Sequence, residues 1–141
     1  MNRRFRIIAL TALLAVSLPV SAAPAAQAPP RTPAGEVDAF FEEYRLAALG
    51  EIEEYPREIR AKTLPPPLNA ELDRWSATHQ GADPVFRAKN IPRTWSVRTL
   101  TPTTVALTET WYDGGSQEVR FTLRQPTLTI TAINDPPPTR G

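Results

Sequence analysis

The chain has 141 residues, of which 16 are basic and 15 acidic, with a single histidine and no cysteine. Without cysteine there are no disulfides, no thiol chemistry and no thiolate zinc sites, and one histidine cannot build a histidine-rich metal site. The near balance of charge argues against electrostatic binding to nucleic acid, which needs a basic patch. We therefore expect no metal, no cofactor and no nucleic-acid partner.

The first 22 residues have the layout of a secretory signal peptide. Three arginines lie among the first six residues, an apolar stretch follows from Ile7 to Val20, and small residues stand at Val20 and Ala22. This pattern predicts cleavage between Ala22 and Ala23. The apolar stretch is shorter than the roughly 20 residues of a membrane span, although a retained anchor helix is the alternative. We expect an exported, soluble periplasmic or extracellular protein with no membrane span after signal removal.

Composition divides the rest of the chain into three parts. Residues 23–33 form an Ala/Pro-rich linker, and residues 136–141 form a Pro-rich tail that we expect to be disordered. Residues 34–135 are long enough for a single domain with one hydrophobic core. Losing the signal leaves 13 basic against 15 acidic residues, a net charge of about −2.

The first predicted helix begins after Thr32, a hydroxyl N-cap, with Pro33 in the first turn, and ends near Gly50. Its apolar stripe consists of Val37, Phe40, Phe41, Tyr44 and Ala48. This spacing is typical of an amphipathic helix whose stripe packs into the core. A ligand wall is the alternative for its aromatic members, and Tyr44 is the candidate for that role.

The next segment is interrupted by prolines. Pro56 breaks or restarts a helix, and three consecutive prolines further along are expected to stop it. A second helix is predicted to begin with Asn69 as its cap, to bury Leu72 and Trp75, and to close at Gly81.

From residue 93 onward, apolar residues alternate with polar ones, which predicts four antiparallel strands joined by short turns. The alternating residues are Trp95 and Val97; Val105, Leu107, Glu109 and Trp111; Val119, Phe121 and Leu123; and Leu128, Ile130 and Ala132. All four rows lie on one face of the sheet, and the other face is rich in threonine and charge. The sequence therefore predicts an α+β domain with N-terminal helices packed on one face of a curved four-stranded antiparallel meander.

The register follows from the turns. A three-residue loop at residues 113–115, with a glycine in the left-handed conformation, places Leu107 opposite Phe121. Glu109 then lies on the inner face between Trp95 and Val119. The turn after the third strand is predicted to pair Phe121 with Ile130.

Four segments together resemble a known superfamily: VDAFFEEY, LNAELDRW, GADPVF and the terminal meander. From about Glu36 to Asn134, the chain resembles the nuclear transport factor 2-like (cystatin-like) superfamily, and more narrowly the secreted bacterial domain of unknown function 3828. The resemblance implies a conical pocket between helix and curved sheet, used by different members for ligand binding, dimer packing or catalysis. The narrower family has no settled activity.

Glu109 is a charged residue in a row of side chains that is predicted to be buried. With Trp95, Trp111 and Gln117 it would form a pocket mouth that has one fixed charge, apolar walls and an aromatic surface. Two other interpretations remain open. In the first, Glu109 reaches water at the open end of the sheet. In the second, it pairs with an arginine such as Arg87 or Arg93.

Catalytic residues are less evident. The one histidine, His79, lies at the predicted end of the second helix, where an exposed position is usual, and Asp83 precedes a proline, which is a turn signal. The leading hypothesis is a non-enzymatic exported protein that binds a small ligand or an envelope protein through the helix/sheet pocket, with a homodimer as a further option. One alternative is a small hydratase- or isomerase-like enzyme with Glu109 as general base. The other is a protein-interaction module that uses the outer sheet face.

Overall fold

The computed structural model describes residues 15–21 and 28–139. Three helices precede four strands, in the order α1 (Pro33–Leu49), α2 (Pro56–Thr63), α3 (Pro66–Thr78), β1 (Thr94–Thr101), β2 (Thr104–Thr110), β3 (Ser116–Arg124) and β4 (Thr129–Asn134). The strands form one antiparallel sheet in the order β1-β2-β3-β4. The predicted α+β meander is confirmed.

The ends of the chain are only partly described. The predicted cleavage site between Ala22 and Ala23 lies outside the described residues, as do the last two residues of the tail. Residues 135–139 are exposed and belong to no helix or strand. Among the described residues, none of the helices has the length and apolar character needed to cross a bilayer.

The signals that the sequence gives for α1 act as expected. The Oγ1 atom of Thr32 accepts a hydrogen bond from the backbone N–H of Gly35 at 3.0 Å, which satisfies one of the free donors of the first turn. Gly50 ends the helix with a φ of +70°, a left-handed conformation that glycine adopts without strain. The face between them is buried at Val37 and Phe41, among others.

The proline-rich segment forms two helices, so of the two alternatives predicted for Pro56 the structure shows a restart. Pro56 and Pro66 each stand in the first turn of a helix, where the missing N–H leaves no hydrogen bond unmade. The three consecutive prolines therefore start α3 as well as ending α2. Asn69 is not a cap but an interior residue of α3, and its side chain contacts α2.

The β2–β3 register differs from the prediction by two residues. Val105 lies opposite Phe121, and Glu109 lies opposite Gln117 rather than Val119. The three-residue loop is formed by residues 112–114 rather than 113–115, with Gly114 in the left-handed conformation at a φ of +86°. The N–H of Trp111 donates to the carbonyl of Gly115 at 2.9 Å and closes this loop. A loop shifted by one residue moves the pairing by two, so every side chain keeps its predicted face.

The β3–β4 register also differs, because the pairing is irregular next to Thr122 and Leu123. Leu123 lies opposite Ile130, whereas Phe121 lies opposite Ile133 and not opposite Ile130 as predicted. A bulge reverses the alternation of the strand beyond it. Ile133 is therefore buried in place of the predicted Ala132.

Aromatic rings fill the space between α1 and the sheet. Phe40 lies 6.5 Å from Phe121 and Phe41 lies 5.3 Å from Trp95, as measured between ring centroids. Phe86, from the connection before β1, packs edge-on against Phe41 at 5.4 Å. These contacts form one hydrophobic core under the inner face of the sheet.

Asn69 links the two short helices. Its Nδ2 atom donates to the backbone carbonyls of Arg60 and Leu64 at 3.1 and 3.3 Å, and its Oδ1 atom accepts from Nε of Arg60 at 3.1 Å. The bond to Leu64 satisfies the carbonyl of the residue that caps α2, whereas the carbonyl of Arg60 also accepts from the N–H of Leu64 at 2.9 Å.

We predict that Asn69→Ala lowers the free energy of unfolding by about 1–3 kcal/mol, since it removes the partners of the Leu64 carbonyl and of Nε of Arg60. Glu71→Ala, at an exposed position of the same helix, is the control and should change it by less than about 0.5 kcal/mol. Urea unfolding of both variants measures the difference, and equal effects would contradict this role of Asn69.

Candidate functional site

Glu109 is fully buried on the inner face of the sheet, with an exposed fraction of 0%. Its cross-strand neighbours are Trp95 on β1 and Gln117 on β3. The Oε2 atom accepts a hydrogen bond from Nε2 of Gln117 at 3.1 Å. The Oε1 atom is buried and has no hydrogen-bond partner among the described residues.

This environment disfavours the charged form of Glu109. Burial away from water raises its pKa to about 8, and the negative charge of Asp83 acts in the same direction. The hydrogen bond from Gln117 opposes the shift only in part. At neutral pH the carboxyl is therefore mostly protonated in the folded protein.

The neighbouring 83–88 loop, which runs from Asp83 to Ala88, is closed by its own backbone. The N–H of Asp83 donates to the carbonyl of Ala88 at 2.8 Å. The Oδ1 atom of Asp83 accepts from the N–H groups of Val85 and Phe86 at 2.8 and 2.9 Å. Asp83 thus folds a turn, which is the role that its position before a proline predicts.

Gln117 attaches this loop to the sheet. Its Nε2 atom donates to the carbonyl oxygens of Phe86 and Arg87 at 2.7 and 3.2 Å, as well as to Glu109. One side-chain amide therefore connects a buried carboxyl on β2 with two backbone carbonyls of the loop. Among the predicted site residues, Glu109 and Gln117 are the pair that the structure brings into direct contact.

Tyr44 and Trp95 hold α1 in place. The hydroxyl of Tyr44 donates to Oδ2 of Asp83 at 2.8 Å, and burial next to that carboxylate raises the pKa of Tyr44. The indole N–H of Trp95 donates to Oδ1 of Asp38 at 2.8 Å, and the guanidinium of Arg45 lies over its ring. The polar atoms of both side chains are therefore engaged within the fold.

Trp111 lies at the surface, at the end of β2. Its indole N–H donates to the carbonyl of Asn90 at 3.3 Å. Around it is a depression of about 320 Å³, which we call the Trp111 depression; it is lined by Asn90, Ile91, Trp111, Tyr112 and Asp113. The Tyr112 ring is 79% exposed, and the guanidinium of Arg93 lies 5.3 Å from its centroid.

Neither arginine that the sequence offers as a partner pairs with Glu109. Arg87 donates to the carbonyl of Ile133 and stacks on Trp75 at 4.6 Å, and Arg93 covers Tyr112. Glu109 is also not exposed, so both alternative interpretations of this residue were wrong. It is enclosed and hydrogen-bonded to an amide.

The position of His79 agrees with its predicted exposure. It caps the end of α3, and its ring stacks on Trp75 with a centroid distance of 3.9 Å. Within the part of the chain that the structure describes, no cluster of three His, Asp or Glu side chains could hold a metal ion.

A second depression, of about 270 Å³, lies between the start of α1, the end of α2 and the turn before β4. Its cations are neutralised by carboxylates, since Arg31 pairs with Glu36 and Lys62 pairs with Glu43 and Glu54. Glu109 lines neither this depression nor the Trp111 depression. The space between helix and sheet that would form an inner pocket is filled by core side chains.

Comparison with known proteins identifies no relative of this chain. No protein-family model matches it, and no curated protein or solved structure is significantly similar to it. The resemblance to the nuclear transport factor 2-like superfamily therefore stays a prediction.

Three features of the site were not found from the sequence. They are the docking of Phe86 and Arg87 on Gln117, the Asp83–Tyr44 bond, and the exposed Arg93–Tyr112 pair. The GADPVF segment marks a turn, but the contacts of that turn span about 30 to 40 residues of sequence. No local pattern encodes them.

We predict that Glu109→Gln changes the pH dependence of stability. Between pH 4.5 and about 8, only the unfolded state of the wild type loses this proton, so its free energy of unfolding falls as pH rises. The fall is at most about 1.4 kcal/mol per pH unit and stops above the folded-state pKa. The glutamine variant lacks this component, so its stability relative to wild type should increase with pH across that window.

Thermal and urea unfolding from pH 4 to 9 measure this difference. Glu42→Gln, which removes an exposed carboxylate from α1, is the matched control and should leave the pH dependence nearly unchanged. A constant difference between wild type and Glu109→Gln at all pH values would contradict a raised pKa at Glu109.

Proposed function

We propose that this chain is an exported, non-enzymatic binding domain that recognises a protein partner of the bacterial envelope at the Trp111 depression. The observation that supports this most strongly is the composition of that surface. Tryptophan, tyrosine and arginine are the residues that contribute most binding energy at protein interfaces, and here Trp111, Tyr112 and Arg93 lie together.

The size and chemistry of the depression favour a protein partner over a small ligand. A volume of about 320 Å³ is at the lower end of small-molecule sites, and it suits one or two inserted side chains. Its lining combines apolar surface from Ile91 and the Trp111 indole with polar groups of Asn90 and Asp113, and Arg93 lies over the ring of Tyr112. Protein interfaces usually combine apolar and polar groups in this way.

The outer face of the sheet is a weaker candidate. Three of its charged side chains already form ion pairs, since Glu118 pairs with Arg120 at 2.7 Å and with Arg98 at 3.6 Å. A partner would have to displace these contacts. Exposed aromatic surface of the kind found at Tyr112 is therefore the more effective anchor.

One observation, the raised pKa of Glu109, favours the enzyme hypothesis. A carboxyl with a pKa of about 8 is suited to general acid–base work near neutral pH. Glu109 has no exposed surface, however, and neither depression reaches it. A substrate could contact it only after the 83–88 loop moved, so binding at the surface is the function that the geometry supports better.

We predict that Tyr112→Ala weakens partner binding at least about tenfold, because the exposed ring can be removed from the interface without disturbing the core. The purified protein is immobilised and exposed to envelope extract, retained proteins are identified by mass spectrometry, and affinity is then measured with the purified partner.

Tyr55→Ala is the matched control for this experiment. Tyr55 is also exposed, at 63%, and also lies beneath an arginine, with Arg57 at 6.0 Å from its ring. It should leave the affinity unchanged. If both variants bind as tightly as wild type, or both lose binding equally, the Trp111 depression is not the partner site.

A further inference from the structure

We propose that Glu109 and Gln117 act as a proton-controlled latch on the 83–88 loop: the loop is docked while Glu109 carries a proton and is released when that proton is lost. For its effect on binding, the proposal rests on the partner site at the Trp111 depression. The docking and release of the loop are properties of the free protein and can be measured without the partner.

The hydrogen bonds of the Gln117 amide make the docking of the loop depend on the protonation of Glu109. Its two N–H groups are shared by three acceptors, namely the carbonyls of Phe86 and Arg87 and the Oε2 atom of Glu109. A neutral carboxyl competes weakly for these hydrogens, so the two loop carbonyls keep their donors. An ionised carboxylate is a much stronger acceptor and draws them toward itself.

Ionisation also creates a charge that the closed site does not compensate. Glu109 is fully buried, its Oε1 atom has no partner among the described residues, and Asp83 lies close enough to repel it. An isolated buried anion is costly unless it is hydrogen-bonded or reaches water. Release of the loop provides both, since it admits water and frees the amide of Gln117 for the carboxylate.

The other charged and titratable groups packed around this site contact other partners, and Nε of Arg87 is buried without one among the described residues. Tyr44 of α1 bonds Asp83 of the loop, Asp38 and Arg45 of α1 contact Trp95, Arg87 contacts Ile133 and Trp75, and Arg93 lies over Tyr112. Among these described groups, no cation forms an ion pair with Glu109. Asp83 is the one whose charge affects the titration of Glu109, and it favours the proton.

The loop is continuous with the wall of the proposed partner site. Asn90 and Ile91 follow it within three residues and line the Trp111 depression, and the carbonyl of Asn90 holds the indole of Trp111. Glu109 itself lies two residues before Trp111 on the same face of the chain. Release of the loop therefore removes the support of one wall, and partner binding should weaken as pH rises.

Amide hydrogen exchange on the free protein tests the latch. The N–H groups of Val85 and Phe86, both bonded to Asp83, report on the loop, and those of Leu107 and Val119 report on the sheet. Exchange is measured from pH 6 to 9 in wild type and in Glu109→Gln, and is normalised to intrinsic rates. The loop amides of wild type should open more readily than the sheet amides. Relative to the variant, their opening should rise about tenfold per pH unit up to pH ~8.

A second variant separates the latch from general destabilisation. Gln117→Leu removes the donors of both loop carbonyls, so the loop amides should lose protection at every pH. Loop amides that exchange only with the sheet amides, or that respond to pH equally in wild type and Glu109→Gln, would overturn the latch. If the latch is observed but Tyr112→Ala binds the partner normally, only the proposed binding site fails.

Discussion

A loop that packs against a protein core must find hydrogen-bond partners for its backbone, and Gln117 supplies them here. Its amide bonds the carbonyls of Phe86 and Arg87, and Tyr44 bonds the carboxylate that folds the same loop. These contacts join α1, the loop and β3. They also place Phe86 against Phe41 and Tyr44, in the centre of the aromatic core. The docking of the 83–88 loop against the sheet therefore depends on one amide group, which Glu109 contacts from the neighbouring strand.

The presence of Glu109 beside that amide is not explained by stability. A glutamine at this position could accept the same hydrogen bond without the cost of a buried ionisable group. Residues that reduce stability are retained most often where they serve a function, and a carboxyl with a shifted pKa is a common sign of one. Glu109 lies two residues from Trp111, so the unfavourable burial of its carboxyl serves a function at the Trp111 depression. This arrangement connects the proton on a buried carboxyl with the shape of an exposed aromatic surface.

The sequence allowed much of the fold and part of the site to be predicted. Strict alternation placed Glu109 on the inner face, and a tight turn after β1 placed it opposite Trp95. The partner on β3 was predicted wrongly, because two glycine-containing loops one residue apart fit the same apolar pattern and only the full packing selects Gln117. The helix that begins at Pro56 stayed undecided, because proline signals a stop and a start equally well. The docking of the 83–88 loop depends on contacts between distant segments, which local patterns do not encode.

Both the enclosed site and the latch require that Glu109 is a buried carboxyl that remains protonated near neutral pH. The most direct measurement is an NMR titration of its side-chain ¹³Cδ resonance in the folded protein, assigned by comparison with Glu109→Gln. We expect a midpoint near pH 8, well above the ordinary value of 4.5. A midpoint close to 4.5 would show that the carboxylate is stabilised in the closed fold. That result would contradict both the enclosed site and the latch that depends on it.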